Sequence, residues 1–139
     1  MHHLIKTAIC AATFASMKLA SAGDLTIEVR DVKSADGTLM VALFGSADSF
    51  LKQPISGTGA PALAGNNIIV LKDLPAGEYA FAIYHDANGN GRMDKNLVGI
   101  PTEDYAFSNN ALGKMGPPKF DAARFTVPAA GASVTVSLK

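Results

Sequence analysis

The chain of 139 residues balances twelve lysines and arginines against twelve aspartates and glutamates, which excludes the basic stripe that a nucleic-acid partner requires. Its single cysteine, Cys10, excludes a disulfide framework, and no thiolate nucleophile or cysteine metal site is available after residue 10.

Residues 1–22 read as a secretory signal peptide. Lys6 gives a basic start, Thr7 to Met17 is apolar and uncharged, and Ala20-Ser21-Ala22 offers a small-x-small cleavage site before Gly23. Lys18 falls late in this leader, between the apolar run and the cleavage site. The run is shorter than the roughly 20 apolar residues of a bilayer span, and no later segment reaches that length. Ile9 is not the small residue expected before a lipidated cysteine, so a lipid anchor at Cys10 is rejected. The expected location is periplasmic or secreted. Without Lys6 and Lys18, residues 23–139 carry ten basic against twelve acidic residues, a net charge of −2, and form one expected domain.

Hydrophobicity in residues 23–139 has period two. Leu25, Ile27 and Val29 alternate with Thr26, Glu28 and Arg30, and Ala35-Asp36-Gly37 marks a turn before Thr38 to Phe44, so this pair is expected to form a hairpin. Further strands are expected at Asn67 to Leu71, Glu78 to His85, Arg124 to Val127 and Ser133 to Leu138. About seven short strands separated by glycine and proline predict an all-β fold, an antiparallel β-sandwich. Residues 46–53 are expected to make one helical turn capped by Ser46 or Asp48. Pro54 to Asn66 reads as a surface loop, and Asp86 to about Asp121 as one long loop. Its apolar residues Tyr105, Phe107, Met115 and Phe120 predict that this loop packs on the sandwich.

The first part of the long loop, Asp86-Ala-Asn88-Gly-Asn90-Gly91-Arg92-Met93-Asp94, places oxygen-bearing side chains at positions 1, 3, 5 and 9, with glycine at position 6. That is the ligand order of an EF-hand-type calcium loop. The expected ligands are the side chains of Asp86, Asn88, Asn90 and Asp94 and the backbone carbonyl of Arg92. Position 12, normally a bidentate Glu, is Leu97, so Asn96, Glu103 or Asp104 must supply the missing oxygens. With two formal charges among four side chains, the expected dissociation constant is on the order of 0.1 to 1 mM. The competing reading is a metal-free turn, because Asn and Asp hydrogen-bond their own backbone and Asn-Gly favours tight turns.

Other polar residues read mainly as structural. His85 shares a strand face with Tyr79, Phe81 and Ile83 and is expected to be a hydrogen-bonded core histidine. Glu103 and Asp104 are adjacent, which does not provide the facing separation of a glycosidase pair. Ser108 lacks the glycine flanks of a nucleophile elbow. Asn109 and Asn110 suit a ligand or a turn equally. Tyr105 and Phe107 are expected to pack rather than to form a binding platform.

Asp73-Leu-Pro-Ala-Gly-Glu-Tyr79, Tyr84-His-Asp-Ala-Asn-Gly-Asn-Gly-Arg-Met-Asp94, Gly99-Ile-Pro-Thr-Glu103, Tyr105-Ala-Phe-Ser-Asn-Asn110 and Gly116-Pro-Pro-Lys-Phe-Asp-Ala-Ala123 occur in this order. The series resembles the bacterial family called domain of unknown function 2141. The resemblance implies an exported protein with a prealbumin-like or immunoglobulin-like sandwich, and implies no activity. The expectation is a non-enzymatic binding module with a calcium-stabilised loop, whose partner the sequence does not identify, an envelope protein or a glycan being the candidates. The alternatives are an extracytoplasmic hydrolase built on His85, Asp86 and Glu103, and a structural accessory of the envelope.

Overall fold

A computed structural model describes residues 22–139; apart from Ala22, the leader expected over residues 1–22 lies outside the described residues. The described residues form eight strands: β1 Ala22–Val32, β2 Thr38–Phe44, β3 Ser56–Pro61, β4 Gly65–Pro75, β5 Gly77–Asp86, β6 Tyr105–Phe107, β7 Phe125–Val127 and β8 Ala132–Ser137. They make two sheets. One has the order β4-β1-β8, and the other the order β3-β2-β5-β6 with β7 also paired to β5. The only helical pieces among the described residues are a 3-10 turn at Ser108–Asn110 and one α-helical turn, α1, at Phe120–Ala123. No described helix is long and apolar enough to cross a membrane.

The period-two apolar positions build the core between the sheets. Leu25, Ile27 and Val29 are fully buried, and registry sets Ile27 between Ile69 on β4 and Val134 on β8. On the facing sheet, Val41 pairs with Ile83 and Leu43 with Phe81. These side chains form one continuous cluster, and each fully buried aliphatic contributes roughly 1.5–3 kcal/mol of burial free energy. Phe125 and Val134 are only partly buried at its margin. Near the end of β1 the alternation breaks at Asp31 (φ 62°), and the register shifts between Val29 and Val32. The extra residue of this bulge returns Val32 to the core side.

The expected β1–β2 hairpin does not form. β4 and β8 occupy both edges of β1, and β2 lies in the other sheet between β3 and β5. Alternation fixes which face of a strand is apolar, and that face can be buried across the sandwich as well as beside a neighbour. β1 and β8 run parallel, the one parallel pairing among otherwise antiparallel described strands. The segment expected as a surface loop over 54–66 contains β3, an edge strand paired with β2 from Ser56–Leu43 to Pro61–Thr38. Its sequence, Ser-Gly-Thr-Gly-Ala-Pro, has no apolar periodicity and joins the sheet through backbone pairing.

A second, smaller core covers the outer face of the β2–β5 sheet. Phe44, Phe50, Ala80, Phe107, Phe120 and Ala123 form it, with Phe50 edge-on to Phe44, Phe107 and Phe120 at centroid distances of 5.4, 6.4 and 5.9 Å. Phe50 comes from residues 46–53, where hydrogen-bonded turns with Leu51 at φ 60° stand in place of the expected helical turn, and Ser46 Oγ accepts the Ser49 N–H at 3.2 Å. Phe107 and Phe120 come from the long segment and pack as expected, whereas Tyr105 is half-buried and Met115 is exposed.

Candidate functional site

β5 ends at Asp86, and the chain returns to the same sheet edge at Tyr105. His85 N–H donates to the Asp104 carbonyl at 2.9 Å, closing the base of the excursion. The start of the loop is held by the Asp86 carboxylate, which is 2% exposed. Oδ1 accepts the Asn90 N–H at 3.2 Å, and Oδ2 accepts the Gly91 N–H at 2.8 Å. Gly91 has φ +74°, so position 6 of the motif makes its sharp turn in the left-handed region that glycine occupies without a Cβ penalty.

Asp94 gathers the amides. Asn88 Nδ2 donates to Asp94 Oδ2 at 2.5 Å and Asn90 Nδ2 donates to Asp94 Oδ1 at 2.7 Å. These bonds, that from Asn90 above all, hold the Asp94 carboxyl below its usual range, with the nearby Arg92 charge acting in the same direction. The Asn90 side-chain oxygen accepts the Arg92 N–H at 3.0 Å, and the Arg92 side chain is exposed.

Glu103 clamps both ends. Its Oε2 accepts the Ala87 N–H at 3.2 Å and its Oε1 accepts the Asp94 N–H at 2.8 Å. Beneath the loop, the Tyr84 hydroxyl donates to the Gly91 carbonyl at 3.2 Å. The Tyr84 pKa is raised, first by burial and then by the negative charges of Asp86, Glu103 and Asp94. Three carboxylates thus act on one phenol, which marks a locally negative loop.

Beyond Asp94 the chain forms a short finger. Lys95 and Pro101 bridge, Thr102 N–H donates to the Asp94 carbonyl at 2.8 Å, and Asn96 N–H donates to the Ile100 carbonyl at 2.8 Å. Asn96 Oδ1 accepts the N–H groups of Val98 and Ile100, each at 3.0 Å. The finger carries Leu97, Val98 and Ile100, which are 107%, 78% and 58% exposed.

All five expected calcium ligands therefore lie in one hydrogen-bonded loop, and Glu103 is the acid that joins them. The oxygens are hard donors of the kind calcium takes, and a half-turn of the Asn88 and Asn90 amides would aim their oxygens where their NH2 groups now point. Among the described residues no group of three or more His, Cys, Asp or Glu side chains is already arranged to hold a metal. The loop as it stands is closed by its own hydrogen bonds.

The hydrolase residues do not converge in the same way. His85 is buried, as expected, with Nε2 2.6 Å from the Asp36 carbonyl. An open groove of about 300 Å³ is lined by His85, Glu103, Asp104, Lys33 and Thr102, but the Asp86 carboxylate serves the backbone of the next turn. Asp104 faces Lys33, whose Nζ lies 3.0 Å from both Oδ1 and Oδ2. Asn109 and Asn110 are occupied in the fold. Asn109 Nδ2 donates to the Arg124 carbonyl at 2.8 Å, and Asn110 Oδ1 accepts the Ser137 N–H at 2.9 Å.

A protein-family model described as "Uncharacterized protein conserved in bacteria (DUF2141)" matches residues 27–136. No curated protein and no solved structure matches the chain.

Proposed function

The chain belongs to the DUF2141 family of bacterial proteins, and we propose that it is a non-enzymatic, extracytoplasmic binding module that presents the 94–102 finger on a calcium-stabilised loop. The observation that carries this reading is the contrast within residues 85–103. His85, Asp86 and Glu103 are all engaged by backbone groups, while Leu97, Val98 and Ile100 stand in solvent on a braced backbone. Exposed aliphatics rimmed by polar residues are the signature of a contact surface. The extracytoplasmic location rests on the leader pattern of residues 1–22, and calcium on the oxygen order of residues 86–94 with Glu103 behind it.

The groove beside His85 supports a second reading, a hydrolase using His85 and Glu103. It is the weaker one, since both Glu103 oxygens accept backbone N–H groups and His85 has one ring nitrogen engaged.

Site-specific photo-crosslinking in cells tests the binding module. A crosslinking residue at Val98 should give specific adducts, and one at Ile68, also exposed at 62% but on β4, should give none with a foreign molecule. Equal labelling at both positions, or none at Val98, sinks the reading. Loss of a hydrolytic activity in Glu103→Gln with the fold retained would replace it with the enzyme.

A further inference from the structure

From the free edge of β4 we infer that two copies of this chain associate, β4 against β4 in antiparallel register about Ile69, into one six-stranded sheet of order β8-β1-β4-β4-β1-β8. This surface is separate from the 94–102 finger, and its occupant is independent of what the finger binds.

Among the described residues, β4 is the one long edge that nothing blunts. It ends the β4-β1-β8 sheet and pairs with β1 alone, and outside that ladder the backbone of residues 66–72 makes no described hydrogen bond. A row of N–H and C=O groups is thus left for another strand. The other edges are short, interrupted or tied. β6 and β7 have three residues each, and β3 has two glycines and a proline among its six. The end of β8 is bonded through the Ser137 N–H to Asn110 and through Lys139 to Tyr105. Charge, proline and short length are what keep natural edges from pairing, and β4 from Gly65 to Leu71 has neither charge nor proline.

The strand itself sets the register and the occupant. Its regular backbone is bounded by two left-handed residues, Gly65 at φ 91° and Asp73 at φ 56°, which leaves residues 66–72 with Ile69 at their midpoint. Asn67, Ile69 and Leu71 are buried in their own core, while Asn66, Ile68, Val70 and Lys72 form the exposed outer row. In polarity that row is symmetric about Ile69, with two apolar residues between two polar ones. A two-fold interface demands such self-complementarity, because a residue that meets a second residue on the other copy is met there in return. About Ile69, Ile68 of each copy meets Val70 of the other, and Asn66 meets Lys72. Apolar therefore lies against apolar, and no like charges are opposed. The pairing covers Ile68 and Val70, which a single chain leaves 62% and 41% exposed. It is also closed, since neither β4 edge stays free. One strand pair buries less than the roughly 1,200 Å² of a standard stable interface, so the expected dissociation constant is on the order of 10 to 100 μM.

Sedimentation equilibrium of the purified protein should show the mass rising from monomer toward dimer between about 1 μM and 1 mM. Ile68→Lys and Val70→Glu should each weaken the dimer more than tenfold, because a charge then faces an apolar side chain across the join and its own symmetry mate diagonally. Both side chains are exposed, so each variant should keep the wild-type melting temperature, which separates lost association from lost folding. A mixture of the two variants should regain association, since the register sets the introduced cation directly against the introduced anion. A monomer throughout that range, dimerisation that Ile68→Lys leaves unchanged, or a mixture that stays monomeric overturns the proposal. With the purified protein, the Ile68 crosslinker should join two copies of this chain, whereas adducts at Val98 report on the finger alone.

Discussion

The Ser108 hydroxyl oxygen accepts the Phe81 N–H at 3.0 Å, at the point along β5 between its pairing with β7 (residues 77–79) and with β6 (residues 82–84). The same hydroxyl donates to the Ala123 carbonyl at 2.5 Å. One buried side chain, 1% exposed, thus replaces a missing rung of the sheet and fastens the end of α1.

Ser108→Ala should therefore leave a buried donor and a buried acceptor without partners. The expected loss is about 2–4 kcal/mol, read by urea denaturation with an unchanged m-value. A loss under about 0.5 kcal/mol, the range of a surface substitution, would show that water replaces the hydroxyl.

The contrast between what is and is not legible in the sequence follows from this kind of contact. Leu25, Ile27 and Val29, or Val41 and Leu43, declare their buried face locally, because side chains alternate along a strand whatever lies beside it. Which strand lies beside it is not local, so the sequence predicts a β1–β2 hairpin that does not form and gives no sign of β3, made of small residues. At the site, Asp86, Asn88, Asn90 and Asp94 are legible from spacing alone. Spacing names Glu103 only as one of three residues able to reach the loop, since its place depends on how the chain returns. The roles of Tyr84 beneath the loop and Ser108 on the sheet carry no local signal at all.

Gly37 packs against the loop's entry. A Cβ built there would collide with the Asp86 carbonyl oxygen, and its φ is +64°. Gly37→Ala combines a backbone clash with a left-handed conformation, so a destabilisation above about 2 kcal/mol is expected. Thermal melting checks it, and a variant as stable as the wild type would contradict this approach.

From the sequence, Asp86 reads as a ligand whose loss matters only when an ion is bound. The structure revises that, because its buried carboxylate accepts two backbone N–H groups. Asp86→Ala should cost about 2–4 kcal/mol in EDTA. Equal stability of the two proteins in EDTA would restore the simple ligand role.

Asp94 provides a pH signature. Its folded-state pKa is lowered, chiefly by the Asn90 and Asn88 amides, so folding favours the carboxylate. That contribution is present above the unfolded-state value, roughly 3.9, and is lost as the pH falls through the lower folded value. In EDTA the melting temperature should fall more steeply below about pH 4 for the wild type than for Asp94→Asn. Parallel curves would mean that the amide bonds to Asp94 do not persist in solution.

Calcium remains the sharpest discriminator, because its uptake requires the loop to exchange partners. The Asn88 and Asn90 NH2 groups that now bond Asp94 must turn over to offer their oxygens, a change that gives up those two hydrogen bonds and the two that their oxygens accept from the Asn90 and Arg92 N–H groups. If the dissociation constant lies near 0.1 to 1 mM, then 10 mM calcium should stabilise the fold by roughly 1.4 to 2.7 kcal/mol. For a domain of this size that is a rise in melting temperature of about 5 to 12 °C. Magnesium should give far less, since it demands tight octahedral geometry and holds its waters. Asp94→Asn should lose most of the calcium increment while keeping the Asp86 and Glu103 bonds that close the loop. Asp86→Ala is the poorer control, because its own folding defect would obscure the increment. A wild-type midpoint that does not move in calcium would mean that the Asp94 amide bonds are the working state of the loop, braced by Asp86, Tyr84 and Glu103.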